Sequence, residues 1–112
     1  MDKKFETIFL EDAINFLDSL DSKPREKIIY NIDKASYVND PKLFKKLNDQ
    51  IWEFRTLYQK KQYRLLAFWD KEDKVETLVV STHGFVKKKS KVDASEIERA
   101  ENLRKEYFDS KK

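Results

Sequence analysis

The chain predicts a single α/β domain, α+β in arrangement, with an N-terminal helical hairpin packed on an antiparallel sheet and a helix at the C-terminus. Three observations carry that expectation. Apolar residues recur at helical spacing before residue 50. Three runs rich in β-branched and aromatic residues follow, separated by short polar links. Helical spacing then returns in Ile97, Ala100, Leu103 and Tyr107. With 112 residues there is room for one hydrophobic core, so residues 1–112 are read as one domain.

Residues 5–10 form a short predicted strand, and residues 11–20 a helix with Ala13, Phe16, Leu17 and Leu20 on one face. The stretch Asp21-Ser22-Lys23-Pro24 breaks and restarts the helix, because proline is tolerated in a first turn. A second helix follows with Ile28, Ile32 and Ala35 along its stripe and Ile29 beside it. Two amphipathic helices joined by so few residues form an antiparallel hairpin. Asn39-Asp40-Pro41 stops the second helix, and Leu43, Phe44 and Leu47 predict one more short helical turn. Residues 51–58, 62–69 and 75–83 are the three strand runs, whose links at 59–61 and 70–73 predict a meander. After a lysine tract at 87–91, a helix is expected over 94–108, with Asp93 as its cap and Glu96 as the reciprocal partner of a capping box.

Charged residues make up 40% of the chain and hydrophobic ones 39%, a balance that would suit disorder. Eight Phe, five Tyr and two Trp argue instead for a packed core, since disordered chains are poor in aromatics. The net charge of +3 is unevenly spread: residues 1–56 sum to −1 and residues 57–112 to +4. The excess gathers at 55–64 and 87–91, which suits either a polyphosphate partner or a solvated face. No cysteine is present, which excludes disulfides and thiolate metal sites, and the single histidine, His83, excludes a polyhistidine zinc site. No metal or cofactor is therefore expected. No apolar run approaches the ~20 residues of a membrane span and no signal-peptide core follows the first residues, so the expectation is a cytoplasmic protein with no membrane partner.

Alternation splits each strand run into two faces. A two- or four-residue hairpin loop centred on Gln59-Lys60 places Arg55 directly opposite Arg64. In that register Trp52, Phe54, Tyr63, Leu65 and Trp69 form an apolar floor for the helical hairpin, while both arginines and Glu53 face the other way. Two like charges opposed across a ladder repel by up to about 1 kcal/mol. An incoming phosphate would relieve that repulsion and could be held bidentately; a surface ion-pair cluster around Glu53 is the other reading. A comparable turn at 70–73 sends Ser81, His83 and Phe85 to the arginine side. Cations with an aromatic suit an unpaired RNA base. Gly84, the lone glycine, permits a bend or a close backbone approach. His83 is open to a structural or a catalytic role.

The segments Leu47-(four residues)-Trp52-Glu53-Phe54-Arg55, Tyr63-Arg64-Leu65-Leu66, His83-Gly84-Phe85-Val86-Lys87-Lys88 and Glu96-Ile97-Glu98-Arg99-Ala100 together resemble the RelE/ParE superfamily of toxin–antitoxin toxins. The likeness is greatest to its HigB-like branch. It implies a RelE-like fold and a cytoplasmic type II toxin neutralised by a cognate antitoxin, usually a helix-turn-helix DNA-binding protein. It further implies a ribosome-dependent endoribonuclease, an mRNA interferase that inhibits translation by metal-independent cleavage with the ribose 2′-hydroxyl as nucleophile. On that resemblance Arg64 stabilises the transition state and Arg55 binds phosphate. Lys87 and Lys88 supply the basic exit segment, one of them tuned for proton transfer. His83 and Glu53 compete for acid–base work. Lys60, Lys61, Phe85, Lys88, Lys89 and Lys91 are the candidate RNA contacts. RelE-like enzymes often use a tyrosine near the C-terminus; here Tyr107 lies well down the last helix, a departure from that pattern. Two other functions compete: a ParE-like inhibitor of DNA gyrase, whose relatives tend to lack the paired basic residues on these strands, and a non-catalytic RNA- or partner-binding domain.

Overall fold

In the computed structural model, which describes residues 2–72 and 77–111, the chain runs β1 (Glu6–Phe9), α1 (Glu11–Asp18), α2 (Ser22–Ala35), β2 (Phe44–Lys46), β3 (Trp52–Tyr58), β4 (Lys61–Asp70), β5 (Leu78–Lys87) and α3 (Ala94–Ser110). The beginning of the predicted strand at 75–83 and the end of the link at 70–73 lie outside the described residues. The remainder agrees with an α+β, RelE-like arrangement of helical hairpin, sheet and closing helix.

The described strands form one five-stranded sheet in the order β1-β5-β4-β3-β2. Its centre is the expected meander. Gln59 and Lys60 both take positive φ, 48° and 68°, which is the geometry of a two-residue hairpin turn. That turn pairs Tyr58 with Lys61 and brings Arg55 opposite Arg64, in the anticipated register. The sheet is not wholly antiparallel, because β1 runs parallel to β5 and covers what would otherwise be an open edge.

The helical turn expected around Leu43, Phe44 and Leu47 is instead strand β2, antiparallel to β3. Periodicity cannot separate helix from strand over so few residues. Packing decides it: the Phe44 ring stacks on Phe54 at 4.4 Å and on Trp52 at 4.9 Å.

The hairpin α1–α2 packs Ala13, Leu17, Ile28, Ile32 and Ala35 against Phe54, Tyr63, Leu65 and Ala67 on one side of the sheet. Within that layer Asn31 Nδ2 donates to Thr56 Oγ1 at 3.1 Å, which satisfies two buried polar groups. On the other side Ala100 and Ile97 of α3 cover Leu66, Phe68 and Val80.

Register slips once, at a bulge opposite Leu66 and Ala67: Leu66 pairs with His83 and Ala67 with Ser81, which leaves Thr82 as the extra residue. The bulge keeps His83 and Phe85 on the arginine side. It corrects the expectation for Ser81, which pairs with Ala67 and therefore faces the hairpin. Gly84 lies in strand, where its backbone lets Phe16 of α1 approach: a Cβ there would sit 2.2 Å from the ring.

The anticipated capping box of α3 is absent. Asp93 caps through its backbone carbonyl alone, and its carboxylate lies 3.4 Å from Lys89 Nζ. Glu96 turns inward to His83 instead. Among the described residues no helix is long and apolar enough to cross a membrane.

Candidate functional site

Alternation places Glu53, Arg55, Arg64 and Phe85 on one face, and pairing extends the group with Lys87 opposite Gln62 and Lys45 opposite Glu53. Glu53 is the hub. Its Oε1 lies 3.1 Å from Arg64 Nε and its Oε2 lies 3.9 Å from Arg55 Nε. Glu53 and Arg64 are both buried, whereas Arg55 is partly exposed. The Glu53 Oε1 and Arg64 Nε atoms meet as charges without the alignment of a hydrogen bond. Arg64 is fixed instead by its other nitrogens: Nη1 donates to the Tyr63 carbonyl at 3.1 Å and Nη2 to Gln62 Oε1 at 2.7 Å. A guanidinium has five N–H groups, so donors remain for a ligand. Arg55 Nη1 donates to the Pro41 carbonyl at 3.3 Å.

These side chains border open space. A depression of about 200 Å³ is lined by Lys42, Arg55, Thr56, Leu57, Gln62 and Arg64. A second, of about 180 Å³, lies where β5 leaves the sheet, among Phe85, Lys87, Lys88, Lys89, Lys91 and Glu96.

Electrostatics tie the group together. Burial pulls the Arg64 guanidinium below its ordinary pKa, opposed by Glu53 and reinforced by Arg55. It remains charged at any physiological pH. The Lys87 ammonium is likewise held below its ordinary value, first by burial and then by Arg64, with Arg55 and Lys45 adding to the effect and Glu53 opposing it. Four cations thus act around one carboxylate, an imbalance that an anion would relieve.

His83 is placed differently. It is 1% exposed and lies beneath α3, with Nδ1 3.0 Å from Thr82 Oγ1 and Nε2 3.1 Å from Glu96 Oε1. Burial lowers its pKa, Arg99 adds to the effect, and Glu96 and Asp12 oppose it. Its ring centroid lies 5.8 Å from that of Phe85, so it supports the aromatic that faces Arg64 rather than opening onto either depression.

The lysines divide. Lys88, Lys89 and Lys91 line the second depression, with Lys89 also near Asp93. Lys60 and Lys61 sit exposed at the hairpin tip, and Lys61, paired with Tyr58, falls on the opposite face from Arg64. Tyr107 lies apart as well. Its hydroxyl donates to Asp70 Oδ2 at 2.7 Å, six residues along β4 from Arg64, or about 20 Å.

Sequence reasoning missed Lys45, Lys42 and Gln62. Lys45 was hidden by reading its segment as helix; the alternation of buried Phe44 with exposed Lys45 was the available signal. Gln62 shares parity with Arg64, so its place was readable, but its hold on the guanidinium was not. Among the described residues no group of three or more His, Asp and Glu could hold a metal ion.

No curated protein matches the chain. A family model described as "Phage derived protein Gp49-like (DUF891)" matches residues 15–105, a span that runs from within α1 to within α3 and contains the whole arginine cluster. The chain belongs to this Gp49-like family, a RelE/HigB-type toxin family of toxin–antitoxin systems.

Proposed function

We propose that this chain is the toxin of a type II pair, of the HigB-like branch, and that it acts in the cytoplasm as a ribosome-dependent mRNA endoribonuclease restrained by a helix-turn-helix antitoxin. The observation that carries this reading is the pairing of Arg55 with Arg64 across the β3–β4 ladder, with Glu53 between them and Lys87 close by. Cleavage by a neighbouring 2′-hydroxyl forms a bond from that oxygen to phosphorus and breaks the bond to the 5′-oxygen. The products are a 2′,3′-cyclic phosphate and a 5′-hydroxyl. The step needs charge stabilisation at phosphorus, an acceptor for the 2′-hydroxyl proton and a donor for the leaving oxygen.

Arg64, fixed by Gln62 and the Tyr63 carbonyl, is positioned in advance to stabilise the dianionic phosphorane. The more exposed Arg55, with Lys45 and Lys42, draws the phosphate in. Lys87 protonates the 5′-oxygen, since burial and its cationic neighbours weaken its hold on the proton. Glu53 accepts the 2′-hydroxyl proton once phosphate displaces it from the arginines; His83, closed off under α3, is a positioning residue. Phe85 offers a ring beside Arg64 on which a base can stack.

The test is induced expression followed by mapping of mRNA 5′ ends, with plasmid supercoiling measured in parallel. New 5′-hydroxyl ends at codon-related positions are expected. Supercoiling changes without cuts would replace this reading with gyrase inhibition, and growth arrest with neither would leave a binding domain.

A further inference from the structure

Trp52 and Trp69 are the only tryptophans of the chain, and both lie on the hairpin face of the sheet, opposite the arginines. Neither is fully covered. They meet edge to face, centroids 5.8 Å apart at 83°, and line a depression of about 360 Å³ together with Lys46, Lys71 and Arg104. Among the described residues that line it, Asp49 is the one carboxylate. The Lys71 ammonium lies 5.4 Å from the Trp69 ring centroid, so a cation already samples the indole face.

We propose that this depression is a second nucleic-acid site, which takes an unpaired nucleotide of single-stranded RNA. The base lies against the indoles and the flanking phosphates rest on Lys46, Lys71 and Arg104. Size permits it, since small-molecule sites begin at about 300 Å³. Composition favours it, because aromatic platforms edged by cations bind single strands without needing a particular base. The edge strand supplies a route between the two faces. Lys45 and Lys46 are consecutive in β2, one opposite Glu53 on the arginine face and the other opposite Trp52 on the indole face. A strand that wraps this edge meets a lysine on each side. Along the β3–β4 ladder the two sites are offset by three residue pairs, about 10 Å, and a strand that joins them also has to pass around the β2 edge. The proposal stands whether or not the arginine cluster cleaves RNA.

Both tryptophans line the depression, so their emission reports on it directly. The full chain is titrated with an eight-nucleotide single-stranded RNA, and with inorganic polyphosphate of matched charge. RNA is expected to quench the emission and polyphosphate to leave it unchanged. The double variant Lys46→Ala/Arg104→Ala should bind on the order of tenfold more weakly, with the slope of log K against log salt shallower by about 1.4, or 0.7 per lost cation. Lys71→Ala should weaken binding in the same direction. Urea midpoints of all variants establish that they remain folded. Arg64→Ala should retain the quenching. Three results would overturn the proposal: no quenching by RNA, equal quenching by polyphosphate, or quenching lost in Arg64→Ala and kept in Lys46→Ala/Arg104→Ala. Absence of mRNA cuts, by contrast, would count only against the nuclease reading.

Discussion

Arg55 and Arg64 stand directly opposite each other across the β3–β4 ladder, and the Glu53 carboxylate lies against both guanidinium groups. The site is therefore held together by an internal anion, which on the proposed reading an incoming phosphate replaces. Glu53→Gln keeps the shape and removes the charge. Two consequences of opposite sign are expected: stability falls by about 3 kcal/mol, the lower range for breaking a buried ion pair, while affinity for a polyanion rises. The urea midpoint measures the first and RNA binding with cleavage blocked measures the second. Unchanged affinity would mean that Glu53 does not compete with the ligand. On the proposed mechanism cleavage itself should also be lost, because there the same carboxylate takes the 2′-hydroxyl proton.

Arg64 engages the Tyr63 carbonyl, Gln62 and Glu53 at once, which only a planar fork can do. Arg64→Lys retains a positive charge and loses that geometry. RNA binding should change little, whereas single-turnover cleavage should slow by about a hundredfold, the cost of losing one preorganised transition-state donor. A fully active lysine variant would remove Arg64 from the chemistry.

The register behind this cluster was legible because two local signals agree. Strand alternation assigns the faces, and a two-residue turn at Gln59-Lys60 fixes which residues meet. Three features were not legible, each for a physical reason. Strand β2 is three residues long and owes its conformation to Phe44 stacking on Phe54, a contact made through tertiary packing. The bulge at Thr82 carries no glycine or turn residue of its own, yet it moves Ser81 across the sheet. Glu96 has the spacing of a capping partner, but a buried imidazole within reach competes for its carboxylate more effectively than an exposed helix end.

That imidazole gives the fold a pH dependence. Glu96 and Arg99 of α3 and Asp12 of α1 are the charges that act on His83, and burial dominates them, holding its pKa below the ordinary value of 6.5. The unfolded chain therefore binds the proton more readily than the folded one. Stability from the neutral ring is complete above about pH 6.5 and is lost as pH falls through the lowered folded pKa. Urea midpoints should drop between pH 7 and pH 5 in the wild type, and less in His83→Gln. Equal drops would assign the acid sensitivity to other groups.

Gly84 is where α1 comes closest to the sheet. A Cβ there would lie 2.2 Å from Phe16 Cδ2 and 2.8 Å from Cγ, so the ring must move. Gly84→Ala should cost about 1–3 kcal/mol, as overpacking does. Because the obstacle is one side chain, Phe16→Leu should restore part of the loss in the double variant. Additive losses in the double variant would show that the strand backbone, not the ring, is what yields.

Tyr107 separates stability from activity. Its hydroxyl donates to Asp70 Oδ2 at 2.7 Å, and Lys111 Nζ lies 2.7 Å from the same oxygen. Asp70 is buried, which by itself raises the carboxyl pKa, but the hydrogen bonds from Lys111 and Tyr107 outweigh burial and hold it below its ordinary value. The arrangement fastens the end of α3 to the end of β4, some 20 Å from Arg64 by strand rise. Tyr107→Phe removes one donor and leaves Lys111 in place, so a loss of about 1 kcal/mol is expected. That loss should be complete at neutral pH, where Asp70 is ionised and needs both partners, and should shrink as pH falls through the lowered carboxyl pKa. Cleavage per folded molecule should match the wild type. A hundredfold fall in rate with the urea midpoint unchanged would instead make the tyrosine part of the chemistry, and would require α3 to move its C-terminal end toward the arginines when RNA binds.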